Sequence, residues 1–486
     1  MSPARRPLHG VAAVAACVAA LGVLLAAQDR PDRSQPPSLG PPPQMDLPSI
    51  QKRTLANGLS VWVVALREVP IVQMNLVVRT GAAGDLPGRF GTASLTAAML
   101  DEGAGERSAL ELADAVEFLG AVLTTTSSFD ASAVRLNAPV ERLDEALPLF
   151  ADVALRPTFP VSELERLRQE RLTSLLQARD NPAALAGMAF SRALYGSTHR
   201  FGAPMTGTGR SLARLSADDL REFHAAHYQP SNATLLVVGD VSADAVVPKV
   251  EKYFGGWRAA AAPATPADVP IAPQPARREI YVIDKPDAEQ SQIYVGWVGV
   301  PRSTPDYFPL LVLNAVLGGS FTSRLNQNLR EERGYTYGAG SVFDMRGSAG
   351  PFIAAAGVQT DKTADAMQQF FVELERIRTP VPDDELAKAK NYIALGFPSE
   401  FETISDLSRR LEELVVHALP EDYFDRYVPS VLAVTVQGVH RAAERYIQPS
   451  RAVVVIVGDL KSIEPAIRTL NFGPVRVMSV DDALGS

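Results

Sequence analysis

Residues able to ligate a metal or act as nucleophiles are sparse in this chain. The six histidines are His9, His199, His224, His227, His417 and His440, and Cys17 is the only cysteine. His224 and His227 stand three apart on a predicted helix, close to Asp218 and Glu222. A metal there needs a third and fourth ligand on the same face, because structural sites close a four-ligand shell. The alternative is a solvated helix end, where partial positive charge near the C-terminus is favourable. No Ser/His/Asp order stands out, and a cysteine nucleophile is excluded by the position of Cys17 in the N-terminal apolar run. Asp101-Glu102 reads as a turn. The most distinctive stretch is Leu317 to Ser341, LGGSFTSRLNQNLREERGYTYGAGS. Gly318-Gly319 breaks a preceding helix, Thr322 to Glu332 is amphipathic, and Gly334 stops it before Tyr335-Thr336-Tyr337. Arg330 supplies forked donors suited to carbonyl oxygens, and Tyr337 a phenol on a rigid apolar plate. Taken alone, the run Arg330-Glu331-Glu332-Arg333 also fits a solvated helix face, with Tyr337 packed in a strand.

The elements that must position these residues form two similar halves. Tyr228 to Asp240 (YQPSNATLLVVGD) and Tyr446 to Asp459 (YIQPSRAVVVIVGD) match in register from Pro230 and Pro449, an offset of 219 residues. Each follows a helix-like segment opening on a hydroxyl cap, Ser216 or Thr435, and each apolar run reads as a buried strand ended by Gly-Asp. Asn57-Gly58 predicts a hairpin before Leu59 to Val64, and Val72 to Arg79 a second strand. Gly91 to Leu100 and Ser108 to Leu119 read as helices, the latter with Ser108 and Glu111 as a capping box. Ser132 to Ala138 is extended, and Glu163 to Ala178 is a long amphipathic helix. The expected fold class is α+β: two homologous domains, each a mainly antiparallel sheet with helices on one face, arranged as a clamshell around a cleft. The Ala/Pro-rich stretch 258–275 is expected to be an exposed linker between domains 48–257 and 276–475.

At 486 residues, with 46% hydrophobic and 21% charged residues, the chain is that of an ordinary folded protein. A net charge of −8 and the absence of Lys/Arg runs argue against nucleic acid. Arg5 and Arg6 precede an uncharged run of 18 residues, Gly10 to Ala27. Residues 1–27 read as a secretory signal cut after Ala27, or as an uncleaved anchor, since that length just spans a bilayer. Either places the chain outside the cytoplasm, in the periplasm or anchored facing it. Residues 28–47 are Pro-rich and polar, an extended spacer.

Several motifs in order resemble the insulinase-like (pitrilysin, mitochondrial-processing-peptidase-like) zinc peptidases. They are Asn57-Gly58-Leu59, Val77 to Ala82, Gly91 to Gly103 (GTASLTAAMLDEG), Glu117 to Ala121, Thr126 to Asp130, and Tyr228 to Asp240 with its copy. The resemblance covers about Lys52 to Leu470. In that family the segment equivalent to Gly91–Leu100 carries His-x-x-Glu-His, two zinc ligands on one helical face and a general base. Matching Met99-Leu100 to the family puts Ser94 and Ala98 at the histidines and Ala97 at the base. Ser174 falls at the distal glutamate. The resemblance therefore implies no catalytic residue and no metal in this chain. Arg330 and Tyr337 match a pair, seven apart, with which one subunit of the two-subunit members binds extended substrate. It implies a non-catalytic, substrate-binding subunit whose zinc-bearing homologous partner completes a heterodimer. A structural or assembly protein and a stand-alone peptide binder are the competing functions.

Overall fold

The computed structural model describes residues 40, 47–258 and 269–485. The N-terminal apolar run, His9, Cys17, nearly all of the spacer and residues 259–268 of the linker lie outside the described residues. No helix among the described residues is long and apolar enough to cross a membrane. The described residues from 47 onward belong to one compact unit.

The first half starts at the Asn57-Gly58 turn, where Gly58 takes φ +92°. The turn joins β1 (Gln51–Thr54) to β2 (Ser60–Ala65), with Thr54 opposite Ser60. Next come β3 (Ile71–Val78), α1 (Thr92–Met99) and α2 (Ala109–Phe118), the last capped by the reciprocal Ser108 and Glu111 bonds. They are followed by β4 (Val122–Ser127), β5 (Ser132–Pro139), α3 (Leu143–Leu155), α4 (Val161–Ala178) and α5 (Pro182–Tyr195). The half closes with α6 (Ala217–His227), β6 (Ala233–Gly239) and α7 (Ala243–Phe254).

The second half repeats the plan. It runs through β7 (Glu279–Asp284), β8 (Gln290–Val298), α8 (Tyr307–Leu317), β9 (Thr336–Phe343) and β10 (Pro351–Gln359). Four helices follow: α9 (Thr363–Arg376), α10 (Asp383–Gly396), α11 (Ile404–Val416) and α12 (Tyr423–Leu432). Then come α13 (Val436–Tyr446), β11 (Val453–Gly458), α14 (Leu460–Thr469), β12 (Val475–Val477) and α15 (Val480–Leu484). The caps read from sequence hold, Ser216 on α6 and Thr435 on α13.

Each half has one six-stranded sheet, ordered β1-β2-β6-β3-β5-β4 and β12-β7-β11-β8-β10-β9. Both are mainly antiparallel, with β2 parallel to β6 and β7 parallel to β11 at equivalent places. The two apolar runs at the offset of the repeat become β6 and β11, and every residue of both is buried. A strand that shows no alternation in sequence is one covered on both faces.

What covers the second face was not legible in the sequence. Each sheet carries its own half's helices on one side, and the other side takes a helix from the opposite half. α5 lies on β8 and β11 of the second sheet, and α11 lies on β3 and β6 of the first. The exchange mixes the cores: Phe190 of α5 is buried with Val453 and Val455, and Leu411 and Leu414 of α11 with Val77 and Leu236. It also carries polar ties. Arg135 Nε and Nη2 donate to the two carboxylate oxygens of Glu412 at 2.7 Å, and Asn75 Nδ2 to the same group at 2.7 Å.

The described part of the linker is buried at two residues. Val269 and Ala272 are buried in the core that α5 shares with the second sheet. Pro270 O accepts a bond from His199 Nε2 at 2.8 Å, while Pro270, Ile271 and Pro273 themselves are exposed.

Candidate functional site

α1, the helix that sequence comparison singles out, is held at its N-terminus by buried charge. Gly91 caps it at φ +100°, and a Cβ there would lie 2.7 Å from Thr206 O, so only glycine fits. The Asp85 carboxylate accepts from the backbone N–H of Gly91 at 2.7 Å and of Ala93 at 2.8 Å, the placement favoured at a helix start. Arg200 Nη2 pairs with Asp85 Oδ2 at 3.0 Å, with side chains 4% and 0% exposed. The same guanidinium donates to the carbonyls of Ala82, Ala203 and Pro204. Burial raises the Asp85 pKa to about 6 against the pull of Arg200, and burial lowers that of Arg200.

On α1, Ser94 and Ala98 lie one turn apart and half-buried, and Ala97 is buried. Ser174 on α4 is exposed, and its hydroxyl donates to Glu170 O of its own helix at 3.0 Å. None of the four carries an imidazole or carboxylate donor. A cation of the protein's own stands beside them: Arg171 Nη2 donates to Ser94 O at 2.9 Å, and its other terminal nitrogen to Thr206 O at 3.3 Å. Burial lowers the Arg171 pKa to about 10, with Asp85 opposing the shift. A zinc ion does not fit this donor set. Among the described residues no group of three His, Cys, Asp or Glu side chains is arranged to hold a metal.

His224 and His227 are not the solvated pair that one sequence reading expected. His224 stacks on Tyr228 at 4.5 Å and bonds Ala154 O at 3.0 Å, while His227 packs on Phe223 at 4.4 Å. Burial lowers both pKa values, so neutral rings, not charges near the helix end, are what the packing favours.

The second cluster sits at the edge of the other sheet. Arg330 lies in the helical turn Gln327–Glu332, its guanidinium 4.6 Å from the Phe321 ring centre and 3.3 Å from Glu331. Tyr337 follows on β9, the outermost strand, and is 88% exposed. The turn is fastened to the strand by Tyr335 N to Leu329 O at 2.9 Å and Ala339 N to Asn326 Oδ1 at 3.2 Å. Between Thr336 and Ala339 the pairing with β10 slips, so Tyr337 lies on a bulge. Bulges re-aim a side chain and release the local backbone from the ladder. Sequence reading placed Arg330 and Tyr337 on adjoining elements but missed Phe321 beneath the guanidinium, an exposed aromatic that no periodicity marks. The two candidate clusters belong to different halves, α1 packing on β4, β5 and α6 of the first sheet.

Two α+β halves in tandem, each built on one six-stranded sheet, are the plan that comparison with known proteins identifies. The family model described as Insulinase (Peptidase family M16) matches residues 63–207, and that described as Peptidase M16 inactive domain matches residues 214–393. The uncharacterized zinc protease YmxG of Bacillus subtilis is 26% identical over 67% of this chain and 79% of its own length. The uncharacterized zinc protease SCO5738 of Streptomyces coelicolor is 25% identical over 85% and 90%. The crystal structure of a peptidase M16 inactive domain from Pseudomonas fluorescens superposes with a TM-score of 0.77 at 27% identity, covering 84% of this chain and 98% of that one. A Helicobacter pylori protease shares the fold, with a TM-score of 0.78 at 22% identity over 85% and 100%. The chain belongs to peptidase family M16.

Proposed function

We propose that this protein is the non-catalytic, substrate-binding subunit of a heterodimeric zinc metallopeptidase acting on extended peptides outside the cytoplasm. The zinc and the general base would reside in a homologous partner subunit. The observation that carries this reading is a contrast between the halves. The helix aligned with the metal motif offers Ser94, Ala97 and Ala98, while Arg330 is half-exposed on the helical turn Gln327–Glu332 and Tyr337 is accessible on the bulged edge strand that follows. An extended peptide exposes carbonyl oxygens at strand spacing, and an edge strand adds backbone groups of its own. Arg330, braced by Phe321, offers forked donors, and Tyr337 a hydroxyl that forms no hydrogen bond within the described chain. A purely structural subunit has no use for such a pair.

The test is to purify the chain alone and with its zinc-motif homologue from the same source, and to measure zinc content and cleavage of an unstructured peptide. Activity is expected only in the mixture, with zinc stoichiometric to the partner. Stoichiometric zinc or robust cleavage by this chain alone would sink the proposal. In the active pair, Arg330→Ala is expected to raise KM by about three- to tenfold with little change in kcat, the size of a partly exposed charged hydrogen bond. Unchanged kinetics would remove the role given to Arg330.

A further inference from the structure

A cavity of about 290 Å³ opens in the second half between α8, the helical turn Gln327–Glu332, α9 and α10. Two of its lining side chains are charged and buried: Arg324 is 6% exposed and Glu373 is 3% exposed. Burying a charge is costly unless its hydrogen-bonding groups are matched, so the pairing can be followed atom by atom. Glu373 Oε1 accepts from Asn328 Nδ2 at 2.8 Å. Glu373 Oε2 has only a 3.5 Å ion pair to Arg376 and no hydrogen bond. Arg324 Nε donates to Glu385 Oε2 at 2.8 Å, but its Nη1 is buried with no partner. Lys388, exposed at the rim, forms no ion pair among the described residues.

The unmet valences are thus a guanidinium donor and a carboxylate acceptor on two residues that line one small cavity, with a free ammonium at its mouth. A ligand that answers them carries an anionic acceptor and an N–H donor a few bonds apart. Inorganic anions bring the first without the second. An α-carboxylate with its adjoining nitrogen brings both, and the cavity volume is close to that of one or two small residues.

We propose that this cavity binds the terminal residue of a peptide or a free amino acid, its carboxylate on Arg324 and Lys388 and its N–H toward Glu373. The proposal rests on the second half alone and stands whether or not the chain has a peptidase partner.

Calorimetric titration of the full chain with alanine, alanyl-alanine, alanyl-alanine amide and inorganic phosphate tests it. Saturable binding is expected for alanine or alanyl-alanine, with the amide at least about tenfold weaker. Which of the two binds tighter distinguishes a free amino acid from a peptide end. The double variant Arg324→Gln, Glu385→Gln removes both members of this ion pair, so neither is left without its partner, and should weaken binding by about tenfold or more. Lys388→Ala alters an exposed position and should weaken binding by roughly threefold even if the double variant fails to fold. Absence of saturable binding by either carboxylate, equal affinity for the amide or phosphate, or indifference to Lys388→Ala would overturn the assignment.

Discussion

Replacing Arg200 by Ala is expected to lower stability at neutral pH by about 3–5 kcal/mol, because it leaves the Asp85 carboxylate buried without its counter-charge. The side chain does more than neutralise. It ties the carbonyls of Ala82, Ala203 and Pro204 to the carboxylate that caps α1, so one substitution unfastens the helix start and two loops. The effect should depend on pH with a definite sign. The Asp85 pKa is raised from 3.8 to about 6 in the folded protein. Folding therefore favours its protonated form: this group's stabilising contribution is full below the unfolded pKa of 3.8 and is lost as pH rises through about 6. Without Arg200 the ionised form is worse still. The deficit of Arg200→Ala relative to the parent should accordingly be largest above pH 6 and shrink as the solution is acidified toward pH 4. Urea unfolding of both proteins at several pH values measures it. A loss under about 1 kcal/mol, or a deficit that grows on acidification, would show that the pair does not hold α1 as described.

Phe190→Ala should be comparably severe, about 3–5 kcal/mol, although Phe190 belongs to the first half and the damage falls on the second. Its ring is fully buried against β8, where Gly296 leaves room for it. A Cβ at Gly296 would stand 2.8 Å from Phe190 Cζ and 2.0 Å from Phe352 O, so Gly296→Ala should fail by overpacking where Phe190→Ala fails by cavity. Trp297, buried beside Gly296 and stacked on Phe352 at 4.5 Å, reports on this region. Both variants should shift unfolding followed by tryptophan fluorescence to lower denaturant. A parent-like midpoint for Phe190→Ala would mean that α5 does not anchor the second sheet.

How far the sequence could be read follows from how local each signal is. The hairpin at Asn57-Gly58, the caps Ser108, Ser216 and Thr435, and the matched runs that became β6 and β11 each depend on a few neighbouring residues. Each was legible. The exchange of α5 and α11 was not, because an apolar helical stripe fixes that a face is buried and not which sheet buries it. Composition likewise marked 258–275 as an exposed linker and could not show that Val269 and Ala272 join the core that α5 shares with the second sheet. For the candidate site, the type and order of residues led to α1 and to the expectation that Ser94, Ala97 and Ala98 stand where a metal motif would. The guanidinium of Arg171 beside Ser94, and the bulge under Tyr337, arise from contacts between elements distant in sequence and had no local signature.

The crossing of α11 onto the first sheet also bears on how the chain is made. Synthesis finishes β6 at Gly239, yet the helix that covers its second face begins only at Ile404, 165 residues later (404 − 239). At ribosomal speeds of about 5–20 residues per second, the first sheet waits on the order of ten to thirty seconds with its second face, where Val77 and Leu236 lie beside Asn75 and Arg135, uncovered. Such a surface is a natural client for holding chaperones and an aggregation hazard if translation stops early. The halves are repeats in sequence, but each one's core is completed by a helix of the other, so neither carries a whole core of its own.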